Sequence, residues 1–112
     1  MTFTSDLKIA SFLLAGALTS ASAFAQSSGH GSEQMKKSME SGMQGMHKMH
    51  MSGHTDKDFA MMMKMHHQQA LKMAKVEVEH GKSPELKAMA SKMIQDQSKE
   101  IEQLDKWLQQ NK

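Results

Sequence analysis

Two blocks of apolar residues with a helical period dominate the C-terminal half of the chain. In the first, Phe59, Met62, Met63, His66, Ala70, Met73, Ala74 and Glu77 share one side when residues are set about 100° apart. Lys57, Lys64, Lys72, Lys75 and Glu79 fall mainly outside that side. The pattern predicts a helix from about Asp56 to His80. Thr55 serves as N-cap, Asp56 and Asp58 suit the positive end of the helix dipole, and Gly81 ends the helix. The second block, Leu86, Met89, Ala90, Met93, Gln97, Ile101, Leu104, Trp107 and Leu108, predicts a second helix reaching about Gln109. Between them stands Gly81-Lys82-Ser83-Pro84, in which Ser83 can cap and Pro84 suits the first helical position. So short a loop makes the helices antiparallel neighbours. Counting outward from Lys82 sets Phe59 near Leu104 and Leu108, His66 near Gln97, and Met73 near Met89 and Met93.

The N-terminal half has no such blocks. Lys8, the apolar run Ile9 to Leu18 and the small-residue stretch ending Ala23-Phe24-Ala25 read as a secretory signal over residues 1–25, cleaved before Gln26. The run is too short for a membrane span. Residues 26–55 hold no Leu, Ile, Val or aromatic residue, so they form a Met/His-rich segment that is flexible or partly helical. Met35, Met39, Met43, Met46 and His50 would nevertheless align on a helix. Gly42, Gly45 and Gly53 each cost such a helix about 1 kcal/mol, so it needs a ligand or a packing surface.

The hairpin of residues 56–112 is a small unit with few large apolar residues. Cysteine is absent, so no disulfide supplements the core. The fold class is therefore all-α: an antiparallel helical hairpin, completed as a ferritin-like or four-helix bundle by homodimerisation or by a third, Met-rich helix. The net charge of +2 comes from lysines interspersed with acidic residues, which describes a solvated surface and not a nucleic-acid stripe.

Methionine changes the picture. The chain has 14, all but Met1 beyond residue 25, together with all 7 histidines. Thioether selects Cu(I), and imidazole also serves Cu(II). On the first helix Met62 and His66, Met63 and His66, and Met63 and His67 stand on neighbouring turns, within reach of one soft ion. Met63, His66 and Met73 are the preferred ligands, with Met62, His67, Met89 and Met93 as further candidates. The projection turns His66 inward and leaves His67 on the flank, exposed or serving a partner chain. Met43, Met46, His47, His50, Met51 and His54 would add low-specificity capacity for Cu(I) or Ag(I). The plain alternative makes the methionines adaptable core filler and His66 a buried histidine bonded to Gln97. Glu77 and His80 have the spacing of di-iron bundles, but the second helix offers only Glu100 near its inner side. A lysine partner for Glu77 and a dipole role for His80 fit better. No nucleophile elbow, zinc-protease or phosphate-loop motif occurs, so no enzyme activity is expected.

Between Asp58 and Leu108, the residues Met63, His66-His67-Gln68, Ala70, Met73-Ala74, Gly81, Ala90, Gln97, Glu100-Ile101 and Trp107-Leu108 resemble a secreted bacterial family known as a domain of unknown function, which includes the copper-binding protein CopM. The resemblance implies a ferritin-like helical hairpin that binds copper in the periplasm. This chain departs from the family in carrying Lys64-Met65 where Ile-Pro is frequent and Gln69 where Gly is. It also has Leu104 where Met is frequent, and Met89 and Met93 where Leu and Ile are. The segment before Thr55 is similar to SilE-type silver-binding sequences. The expected function is a periplasmic or secreted protein that sequesters or carries Cu(I), and silver with it, alongside other periplasmic copper-handling proteins. The rival is a Met-rich helical chaperone or interaction module without metal.

Overall fold

The computed structural model describes the backbone from residue 20 and side chains from residue 29 onward. The run from Ile9 to Leu18 read as a secretory signal lies outside the described residues. Three helices follow in order: α1 (Ser20–His47), α2 (Thr55–His80) and α3 (Pro84–Gln110). Among the described residues α1 packs on α2 and α2 on α3, while α1 and α3 do not pack on each other. The expected antiparallel hairpin is α2–α3, and the third, Met-rich helix lies on the other flank of α2.

Residues 26–47 are thus fully helical, and α2 supplies the surface that the glycine-rich helix needs. Gly31, Met35, Ser38, Gly42 and Gly45 of α1 alternate in steps of four and three, the seam of a helix laid against another. They are among the less exposed residues of the segment. A Cβ built on Gly31 would stand 2.6 Å from His80 Cβ, one on Gly42 1.8 Å from Gln69 Oε1, and one on Gly45 2.9 Å from Met65 Cε. The glycines that weaken an isolated helix are therefore the points of closest approach to α2.

The α2–α3 seam is built from alanine instead. Ala60, Ala74 and Ala90 are buried, and no large side chain among the described residues is fully enclosed. Small residues let the helices approach but leave little apolar area to bury, so the seam gains from polar fastenings. Lys64 pairs with Asp105, and His67 with Glu100.

The two loops are fixed differently. Ser83 Oγ accepts from Leu86 N at 3.3 Å with Pro84 opening α3, as expected. Thr55 is not the N-cap of α2. His54 holds that position without a side-chain bond, and the helix begins at Thr55. Asp58 reaches back instead: Oδ1 accepts from the Ser52 amide and hydroxyl, each at 2.7 Å, and Oδ2 accepts from Gly53 N at 3.2 Å. Gly53 has φ of 82°, the left-handed region that glycine enters most easily. The Ser52 hydroxyl, followed by the Ser52 amide, holds the Asp58 carboxyl below its ordinary value, against a smaller opposing effect of burial.

Candidate metal-binding face

A helix with neighbours on opposite flanks has two open sides, and the two sides of α2 differ sharply. Toward α1 it turns Met65, Gln69 and Val76, and toward α3 Ala60, His67 and Ala74. One open side carries Lys57, Gln68, Lys75 and Glu79. The other carries Phe59, Met62, His66 and Met73, the middle of the apolar stripe read from the sequence. That stripe is therefore not an inward face: Phe59 is 61% exposed and His66 is exposed as well.

The two histidines exchange the roles expected of them. His67, not His66, is buried between α2 and α3, because inward directions on α2 lie to either side of the apolar stripe. His67 pairs with Glu100, in place of the expected meeting of His66 with Gln97. Bonded to a carboxylate, His67 Nε2 carries the proton of the neutral ring, which leaves Nδ1 as an acceptor. Among the described residues that Nδ1 is buried without a partner, as is Gln97 Oε1. Met63 lines the same hollow as His67 and Glu100, together with Phe59, Leu104 and Trp107.

Farther along the same side, Met35 of α1, Met73 of α2, and Met89 and Met93 of α3 line one groove. The expected approach of Met73 to Met89 and Met93 is present, and Met35 is the member that sequence reasoning missed. Its signal was available in the seam spacing, which sets Met35 at the edge of α1 nearest this groove. Met89 and Met93 are 54% and 39% exposed. Met39, Met43 and Met46 are exposed farther round α1 on the Met35 side.

No single hollow is lined by all of the preferred set Met63, His66 and Met73. Met63 belongs to the hollow with His67, Met73 to the methionine groove, and His66 stands exposed beside them. His47, His50, Met51 and His54 are exposed where α1 ends and the loop leads to α2. His80, expected only to complement the helix dipole, stands edge-on to His30 with ring centroids 5.8 Å apart. Glu77 forms no ion pair among the described residues, contrary to the expected lysine partner, and its carboxylate lies over Gly81.

No three His, Asp or Glu side chains converge on a point among the described residues. The donors that do gather from separate helices are thioethers. They are neutral and polarizable, and they suit Cu(I) and Ag(I), not ions that prefer oxygen.

The family described as Domain of unknown function (DUF305) matches residues 12–108. The chain belongs to the DUF305 family. The match takes in α1 as well as the hairpin, so the segment before Thr55, which the residue resemblance left out, is part of the family domain. No curated protein and no solved structure matches this DUF305 chain.

Proposed function

We propose that this DUF305 protein binds and holds Cu(I), and Ag(I) through the same donors, as a sequestering or carrier protein of the periplasm or the secreted space. One observation carries the reading: Met35, Met73, Met89 and Met93, drawn from three helices, line a single accessible groove. A methionine used only as filler is enclosed in a core, whereas Met89 is about half exposed and Met93 more than a third. Neutral thioethers favour a soft monovalent ion and bind it without a change in protonation. Met63 with His67 Nδ1 forms a second, more enclosed donor set, for which Glu100 would orient the ring. The exposed Met39, Met43, Met46, His47, His50, Met51 and His54 add capacity at the surface. The apolar N-terminal run followed by small residues supports export.

The same face also suits a second copy of the chain. Phe59, Met62, Leu86, Met89 and Met93 form an exposed apolar band that a partner copy would cover, giving a helical bundle with methionines from both chains.

The test is competition for Cu(I) between the protein and a chromogenic chelator. Replacing Met73, Met89 and Met93 together by leucine keeps apolar bulk and removes three sulfurs. Affinity for the groove equivalent falls at least tenfold while helicity is retained. Unchanged affinity and stoichiometry would sink the groove as a metal site. They would favour the rival reading, in which the exposed methionines form an adaptable surface for apolar partners.

A further inference from the structure

The side of α2 away from the methionine groove holds another gathering of soft donors. Met49 and His50 follow α1, and Met61 and Met65 project from α2 toward them, so that all four line one hollow. Met49, Met61 and Met65 are half-buried, while His50 is exposed at the rim. The adjacent methionines of α2 are thus divided. Met62 belongs to the open face, Met63 to the hollow beside α3, and Met61, about 100° round the helix from Met62, to this one.

We propose that Met49, His50, Met61 and Met65 form a second Cu(I) or Ag(I) site, of three thioethers and one imidazole, that fastens the end of α1 to α2. The inference deepens the copper reading but depends on none of the groove residues. Three features support it. The donors come from both sides of the α1–α2 loop, so one ion joins segments that packing alone brings together. Gly45 leaves the space that Met65 occupies, since a Cβ there would lie 2.9 Å from Met65 Cε. Charge supplies the third. Lys64 also borders the hollow, but its ammonium is drawn off to Asp105 on α3, leaving Lys48 as the other lysine on the rim. With neutral donors and a nearby cation, a monovalent soft ion is favoured over a divalent one.

The experiment is a Cu(I) titration of the full chain against the chelator, repeated with Ag(I) and followed by amide hydrogen exchange. Met61→Leu/Met65→Leu is expected to remove one bound equivalent, or to weaken it at least tenfold, and to leave the groove equivalent in place. Gly45→Ala removes no donor but crowds Met65, and is expected to weaken the same equivalent several-fold. Added Cu(I) should slow exchange of the amides from Lys48 to His54 in the unmodified protein and not in the double variant. If Met61→Leu/Met65→Leu binds and protects as the unmodified chain does, the site does not exist. Loss confined to the Met73, Met89 and Met93 variant overturns this inference alone. Loss confined to the Met61 and Met65 variant overturns the groove and keeps this site.

Discussion

The two seams of α2 are closed by opposite means. Toward α3, alanines set the distance, and the His67–Glu100 and Lys64–Asp105 pairs fasten the helices. Toward α1, glycines remove side chains so that His80, Gln69 and Met65 can occupy the space. The first seam is specified by what its residues contribute, the second by what they leave out. An alanine seam tolerates little added volume anywhere along it. A glycine seam tolerates a new side chain wherever the opposing atoms can swing away. Substitutions should therefore damage the α3 seam broadly and the α1 seam at particular points.

The largest effect is expected from Ala74→Leu. Ala74 and Ala90 are 6% and 4% exposed at one level of the hairpin beside the methionine groove, so three added carbons must displace its methionines or part the helices. Overpacking of this kind costs about 1–3 kcal/mol. Because α1 rests on α2, opening the hairpin loosens all three helices. Thermal unfolding followed by circular dichroism should show one lowered transition. An unchanged melt would mean that the seam is not packed as tightly as the alanine burial indicates.

Gly31→Ala should act more locally. The new Cβ meets Cβ and Cγ of His80 at 2.6 and 3.1 Å, atoms that cannot leave without moving the end of α2. Better helix propensity returns about 1 kcal/mol to α1, which offsets part of the clash. The expected result is a net loss of about 1 kcal/mol in docking, within the lower range for overpacking. Hydrogen exchange should quicken in α1 while α2 and α3 keep their protection. Equal quickening in all three helices would show that α1 and the hairpin form one cooperative unit.

The contrast between the seams also explains what was legible in the sequence. Apolar periodicity reports where methionine, leucine and phenylalanine recur, and it located α2, α3 and the loop between them. It cannot report a seam made of glycine, because glycine reads as a helix breaker. Gly42 and Gly45 therefore argued against the helix that they allow to dock. The assignment of His66 to the interior failed for a related reason. A projection with one neighbour assumes that the apolar stripe is the buried side, but α2 has two neighbours, and both seams use small or polar residues. The stripe through Phe59, Met62 and Met73 was consequently left open. Met73, Met89 and Met93 were still correctly grouped, since the short loop alone fixes their level along the hairpin.

The loops extend the comparison to pH. The α2–α3 loop relies on Ser83 and Pro84, which do not titrate, whereas the α1–α2 loop hangs on the Asp58 carboxylate. Its folded pKa is depressed by the hydrogen bonds from Ser52. The stabilisation is therefore complete above the ordinary carboxylate value and is lost as pH falls through the lower, folded value. Amide shifts and exchange of Ser52 and Gly53 should report loosening in acid, with Ser83 and Leu86 unaffected over the same range. Asp58→Asn should already be loosened near neutral pH and show no such titration. If its loop titrates as the unmodified one does, another group is responsible.

The smallest effect on stability, and opposite in sign, is expected at Gly45. Alanine there gains up to about 1 kcal/mol of helix propensity. The atom it meets is only the terminal methyl of Met65, at 2.9 Å, which can rotate aside at a fraction of that gain. Gly45→Ala should therefore leave the melting temperature unchanged or raise it slightly, in contrast to Gly31→Ala on the same seam. The displaced methyl belongs to a proposed copper donor, so the variant also separates folding from function at one residue. A chain that is at least as stable but holds Cu(I) less tightly shows that Gly45 serves the metal site more than the helix seam. A chain destabilised as much as Gly31→Ala shows instead that close approach is required along the whole length of α1.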